Sequence, residues 1–269
     1  MPIKVLATDL DGTLIPIAGN ADNRRDLVAL QQVLHDRNIT LIFVTGRSFH
    51  LTQQAIDQFD LPVPHSMVCD VGTSIFRTTA DSTFEFCDDY SRHLSQLTVS
   101  CPISELTSEL QSWSELTFQE TEKQGPFKLS FYAESSVLAG QTDRLRNHIA
   151  RSSLPWSVVS SQDPETGMGL IDLLPVGVSK AYALNWWASE RRIAKTEIAF
   201  AGDSGNDLAA LTAGYKSILV SNAHQSVRDE VSRFHRQTGQ QDDLWHSQHP
   251  ASSGVLDGLL QFVDDSPIR

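Results

Sequence analysis

Two aspartates spaced one apart, Asp9 and Asp11, close the apolar run Val5-Leu6-Ala7-Thr8 and are followed by Gly12, Thr13 and Leu14. An apolar run of this length reads as a buried strand. A carboxylate just past its carboxyl end stands where open α/β sheets place their ligands. In extended chain residues two apart point to the same side, and a turn at Leu10 and Gly12 keeps both carboxylates over one site. Such a pair fits a divalent-cation site with one oxygen left free to attack. It also fits the plain capping of a strand-to-loop turn. The rest of the chain decides between them.

Three further clusters carry the same kind of chemistry. Thr45-Gly46-Arg47-Ser48 follows the apolar run Ile39–Val44, Ser179-Lys180 opens a helical pattern, and Gly202-Asp203-Ser204-Gly205-Asn206-Asp207 follows Glu197–Ala201. In a doubly wound sheet the strand ends converge on one crevice. The combination supports phosphoryl transfer to a carboxylate. Asp9 attacks phosphorus in line to give an aspartyl-phosphate that water hydrolyses. Asp11 protonates the leaving alcohol and later deprotonates the water. Lys180 supplies a cation, and Thr45 with the amides of Gly46 and Arg47 supplies hydrogen-bond donors at a helix N-terminus. Mg²⁺ suits the hard oxygens of Asp9, Asp203 and the Asp11 carbonyl. Asn206 and Asp207 would orient phosphate or metal-bound water.

The elements that must position these groups can be read from periodicity. After the first strand, Leu27, Leu30, Val33 and Leu34 share a helix face that Asp22 can cap. A second strand at Ile39–Val44, a helix carrying Leu51, Ala55, Ile56 and Phe59, and a third strand at Ser66–Cys69 follow. Strand and helix alternating over short links predict an α/β, doubly wound (Rossmann-like) parallel sheet. Near residue 82 the rhythm changes. Residues 82–175 read as an inserted α+β cap domain with its own small sheet. It includes strands at Thr83–Phe86, Phe127–Tyr132, Trp156–Ser160 and Leu170–Leu174. Residues 1–81 and 176–269 form the core.

Composition bounds the setting. The chain has 269 residues, 21 of them Lys or Arg and 33 Asp or Glu, for a formal charge of −12. So acidic a protein is poorly matched to nucleic acid or an anionic membrane. Cys69, Cys87 and Cys101 are odd in number and lack metal-ligand spacing, so they read as free thiols in a reducing, cytoplasmic setting. The start of the chain lacks the pattern of a leader peptide. Nothing in the sequence addresses oligomeric state.

The four clusters Asp9-Leu10-Asp11-Gly12-Thr13-Leu14, Val44-Thr45-Gly46-Arg47, Ser179-Lys180 and Gly202-Asp203-Ser204-Gly205-Asn206-Asp207 resemble, in order and spacing, the four motifs of the haloacid-dehalogenase-like phosphatases. The insertion looks like the large cap of the subgroup that contains the sugar phosphatases. The resemblance implies Asp9 as nucleophile and Asp11 as acid/base. It implies Thr45 and Lys180 as phosphate ligands, and an Mg²⁺ site that includes Asp203 and Asp207. Several stretches are similar to the sucrose-6-phosphate phosphatases: Thr45-Gly46-Arg47-Ser48, Val71-Gly72-Thr73, Lys128-Leu129-Ser130 with Tyr132, Asp172-Leu173-Leu174-Pro175, and Ser252-Ser253-Gly254-Val255. By that likeness Arg47 and Ser48 are sugar contacts. Lys128 is a third, on a strand face shared with Ser130 and Tyr132. Leu170 stands two before Asp172 where those enzymes carry an acid, which leaves open another phosphorylated sugar or glycoside. A catalytically silent sugar-phosphate sensor is the reading from a different class.

Overall fold

The computed structural model describes residues 2–162 and 166–264. The larger sheet takes eight strands in two runs from a central β1 (Val5–Thr8). To one side lie β2 (Thr40–Val44), β3 (Ser66–Cys69), β4 (Ser74–Thr78) and β5 (Phe84–Phe86). The cap sheet follows in sequence: β6 (Thr117–Phe118), β7 (Leu129–Ala133), β8 (Trp156–Gln162) and β9 (Gly169–Pro175), in spatial order β6-β7-β9-β8. The chain then returns to the other side of β1 with β10 (Ile198–Gly202), β11 (Lys216–Leu219) and β12 (Leu244–His246). β1 is parallel to both β2 and β10, so the strand order reverses there, the switch point where such sheets bind ligands.

The strands are apolar because both faces are covered. Val5 and Ala7, Ile42 and Val44, and Ile198 and Phe200 belong to one core cluster. The alternating residues Leu6, Leu41, Phe43, Ala199 and Ala201 belong to the other. Helices α1 (Ala21–Asp36) and α2 (Phe49–Phe59) place Leu27, Leu30 and Ala55 in the second cluster. On the first face, α3 (Asp88–Leu97) brings Tyr90 and Leu94. In the cap, α4 (Ile103–Leu110) and α5 (Leu138–Arg151) pack Leu106, Leu110, Leu145 and Ile149 against Leu129, Phe131 and Ala133 of β7. The first face is completed by α6 (Lys180–Glu190), α7 (Leu208–Leu211) and α8 (Gln225–Thr238), and the second by α9 (Ala251–Asp264).

Several sequence expectations are corrected here. The cap of α1 is Asn20, whose side chain accepts from the amides of Asp22 and Asn23, so Asp22 sits inside the first turn. The strand near Thr83–Phe86, read as the start of the insertion, pairs antiparallel with β4 in the larger sheet. Cys87, Tyr90 and Leu94 just after it join the core cluster. The sequence reading contained neither β4 nor β12. All three cysteines are free and buried. Among the described residues no helix is long and apolar enough to cross a membrane.

Candidate active site

Asp9 leaves the end of β1 with its amide bound to the Ala201 carbonyl at 3.0 Å, which fixes it between β1 and β10. The backbone then turns. Thr13, Leu14 and Ile15 all donate to the Leu10 carbonyl. Gly12 takes φ +72°, and a Cβ there would lie 2.4 Å from Asp203 Oδ2. Only glycine meets both demands. Thr13 Oγ1 donates to Asp203 Oδ1 at 2.9 Å, and Asn222 Nδ2 donates to the Gly12 carbonyl at 2.7 Å.

Lys180 is the centre of the charge arrangement. Ser179 caps α6 by accepting from the Tyr182 amide, and Lys180 on the first turn is fully buried. Its Nζ lies 2.8 Å from Asp9 Oδ1 and 2.7 Å from Asp207 Oδ1. Two of the three ammonium protons are thereby committed and one remains. The other Asp207 oxygen accepts from the amides of Asp203 and Ser204 and from Ser204 Oγ at 3.1–3.2 Å, so Asp207 also holds the β10 loop in shape. Gly202 is required, since a Cβ would sit 2.8 Å from Asp207 Cβ. At Gly205 a Cβ would meet nothing within 4 Å.

One oxygen each from Asp9, Asp203 and Asp207 lie within 4.8 Å of one another. Three carboxylates and one ammonium leave two negative charges in a largely buried place. Burial pushes the Asp9 carboxyl well above the ordinary range. Lys180 pulls against that rise, while Asp207 and Asp203 add to it. Burial, then Asp207, push Asp203 up to about 6. Burial also works against the Lys180 charge, but Asp207 and Asp9 outweigh it and hold the ammonium above its usual range. A divalent cation with hard oxygen preference fits this excess charge and donor set.

The second motif closes over the same place. Thr45 at the end of β2 is fully buried, its amide on the Val68 carbonyl at 2.8 Å. Its Oγ1 accepts from the Arg47 amide at 3.1 Å, which leaves the hydroxyl proton to donate elsewhere. A Cβ on Gly46 would lie 3.8 Å from Asn206 Nδ2, so the Thr45 and Asp203 loops face each other. Ser48 caps α2, accepting from the Leu51 amide. Arg47 grips Asp11 bidentately, Nε to Oδ2 at 2.8 Å and Nη2 to Oδ1 at 2.6 Å. The Asp11 side chain is thus drawn to Arg47, and the carboxylate cluster is completed by Asp207.

Lys128 is buried, with Nζ 3.5 Å from Asp70 Oδ1 on the core. Its strand neighbours are engaged within the cap. Ser130 Oγ donates to Asp172 Oδ1 at 2.5 Å, and the Tyr132 hydroxyl takes a bond from Lys123 Nζ at 2.6 Å and gives one to Glu120 at 2.9 Å. Ser252-Ser253-Gly254-Val255 opens α9. Ser252 donates to the Asn23 carbonyl, and a Cβ on Gly254 would lie 2.3 Å from the His249 carbonyl oxygen, so the stretch is a packing device.

Sequence reasoning passed over Asn222, Thr13 as a partner of Asp203, and Asp70. The residues Asp70, Val71 and Gly72 all take positive φ, +54°, +58° and +101°. For a β-branched residue such as Val71 that costs about 1–2 kcal/mol. A Cβ on Gly72 would lie 2.2 Å from the Ser179 carbonyl oxygen. The turn is therefore wedged against the start of α6 and positions Lys180. A lone Asp before Val-Gly-Thr offered the only sequence signal.

Comparison with known proteins agrees with this architecture. A HAD-like hydrolase of Nitrosococcus oceani is 33% identical over 97% of this chain and 72% of its own length. A mannosylfructose-phosphate phosphatase of Agrobacterium fabrum is 26% identical over 97% of each chain. The crystal structure of the sucrose-phosphatase from Synechocystis, in complex with sucrose and phosphate, superposes with TM-score 0.79 at 22% identity, covering 97% of this chain and 98% of that one. The profile of the sucrose-6F-phosphate phosphohydrolases matches residues 2–263, and the chain belongs to that family of haloacid-dehalogenase-like phosphatases.

Proposed function

We propose that the chain is a Mg²⁺-dependent phosphatase that hydrolyses a sugar phosphate monoester through an aspartyl-phosphate, with sucrose 6-phosphate as the preferred substrate. The observation that supports it most is Asp9: buried, pinned by Lys180 at one oxygen and set among carboxylates whose excess charge suits a dication. Mg²⁺ would be held by Asp9, Asp203 and Asp207 with the Asp11 carbonyl, and when bound would supply positive charge to the phosphoryl oxygens. Lys180 fixes Asp9 Oδ1 and leaves Oδ2 to form the bond to phosphorus as the bond to the sugar oxygen breaks. The third Lys180 proton, the Thr45 hydroxyl, the Gly46 amide and Asn206 hold phosphoryl oxygens. Asp11 protonates the departing sugar oxygen, then takes a proton from the water that cleaves the Asp9–phosphorus bond. Arg47 must release Asp11 for those transfers, and its Nε and Nη2, beside Ser48, then turn to the substrate.

Phosphate release from a panel of sugar phosphates, with and without Mg²⁺, tests the proposal. Sucrose 6-phosphate is expected to lead, and mannosylfructose phosphate is the second reading, favoured by the end-to-end likeness to the Agrobacterium phosphatase. No release from any member, with Mg²⁺ present, would leave the silent-sensor reading.

Chelation should abolish release and Mg²⁺ should restore it, with Ca²⁺ inhibiting. Because Asp203 keeps its proton up to about pH 6 in the metal-free fold and loses it near 3.8 when unfolded, the folded state holds the extra proton between those values. Metal-free stability therefore falls as pH rises through that window, and below about pH 6 Mg²⁺ must displace the proton. The rise in Tm on adding Mg²⁺ should be small at pH 5 and larger at pH 7.5. A shift independent of pH would remove Asp203 from the metal site.

Lys128→Ala should lower kcat/KM for the preferred sugar phosphate relative to p-nitrophenyl phosphate by about tenfold or more, the worth of a charged hydrogen bond of about 1.5–3 kcal/mol. Equal loss on both substrates would assign Lys128 to the phosphate or to the fold.

A further inference from the structure

Asp70 is a buried acid with an unmet acceptor. It follows β3, is 6% exposed, and donates its amide to the Arg47 carbonyl at 2.9 Å, while the Val71 amide binds the Thr45 carbonyl at 3.1 Å. Its backbone therefore adjoins the Thr45–Arg47 loop. Ser74 Oγ donates to Oδ2 at 2.9 Å. Oδ1 has no hydrogen-bond partner, although Lys128 Nζ stands 3.5 Å away. Buried carboxylate oxygens are seldom left unfilled without a reason. The surroundings are built to bring core and cap together at this point. A Cβ on Gly125 would already lie 3.8 Å from Asp70 Cγ, and Phe127, next to Lys128, packs into the core cluster. Asp172 of the cap raises the Asp70 carboxyl further after burial has done so, with Lys128 and Ser74 opposing.

We infer that Asp70 is the core's own contribution to sugar recognition: Oδ1 accepts a hydrogen bond from a sugar hydroxyl whose oxygen, or whose neighbour's oxygen, accepts from Lys128. This deepens the sugar-phosphate reading above and rests on it. A carboxylate only accepts and an ammonium only donates, and a hydroxyl or vicinal diol does both. A base of 3.5 Å between Oδ1 and Nζ lets one hydroxyl oxygen stand about 2.8 Å from each. A site that leaves a buried acceptor empty without its hydroxyl discriminates strongly against analogues lacking that group. Selectivity then belongs to the junction of core and cap, and the cap alone does not carry it.

The test uses the wild type and Asp70→Asn with p-nitrophenyl phosphate as reporter and two competing products as probes, sucrose (or mannosylfructose) and inorganic phosphate. Asparagine suits the left-handed backbone at this position. The inhibition constant of the disaccharide is expected to rise about tenfold or more relative to that of phosphate. In the double variant with Lys128→Met the loss should be smaller than the product of the single losses, because both groups serve one hydroxyl cluster. If Asp70→Asn fails to fold, Ser74→Ala, which removes the donor aiming the carboxylate, should shift disaccharide inhibition in the same direction. An unchanged ratio in either variant, or equal weakening of both inhibitors, overturns the assignment of Asp70. A wild type inhibited by phosphate but by neither disaccharide overturns the sugar reading itself, and this inference with it.

Discussion

Asp9→Asn is expected to lower turnover of the preferred sugar phosphate by about 10³–10⁶-fold, the range seen when a nucleophile is lost. The amide is nearly isosteric, so the turn at Leu10–Gly12 and the bond from the Asp9 amide to Ala201 persist. What disappears is the attacking charge, one of the three clustered carboxylates and one anionic partner of Lys180. The fold should survive and gain stability without metal, because burial already opposes the Asp9 charge. Single-turnover phosphate release checks the first part and melting in chelator the second. Activity within about tenfold of wild type would remove Asp9 from the mechanism.

Lys180→Met is expected to cost both catalysis and folding. The side chain is fully buried between Asp9 and Asp207, and the thioether fills similar volume without charge. Removing one partner from a buried ionic group costs about 3–5 kcal/mol, since the remaining charges have no water to turn to. Turnover should fall by about 10²–10³ from the lost donor to the phosphoryl group. Metal-free, the variant should become more stable as pH falls. Without the ammonium, Asp9 holds its proton to a higher pH than it does in the unfolded chain, so the folded state binds more protons. A wild-type melting temperature at pH 7.5 in chelator would contradict the burial on which this rests.

How much of this was legible in the sequence follows from physical range. The β1, β2, β3, β10 and β11 strands announce themselves because burial on both faces demands unbroken apolar runs. Three of the four candidate clusters announce themselves because they end those runs, while Ser179-Lys180 opens a helix. β4 and β12 were missed since they lie toward the sheet's edges, with partly exposed residues and no unbroken apolar run. The Arg47–Asp11 clasp joins residues 36 apart in sequence, and no periodicity encodes such a bond. Asp70 was overlooked because its importance lies in backbone sign and in what fails to bond to it, and neither leaves a mark in composition. The face shared by Lys128, Ser130 and Tyr132 was correctly separated from Leu129, Phe131 and Ala133 by simple alternation. That Ser130 and Tyr132 spend their hydroxyls inside the cap was not.

The packing of Phe127 into the core cluster, beside Lys128 on Asp70, bears on how such caps can be traded between relatives. The groups that would carry out the phosphate chemistry all lie on the core, so a grafted cap could in principle bring a new substrate repertoire without touching them. The seam, however, is not at the ends of the insertion. A transplant cut there removes an aromatic plug from the host's interior and strands a buried acid opposite whatever the donor cap presents. For this chain an exchange leaves both sides satisfied only where Asp70 and the 125–128 loop travel as one cassette.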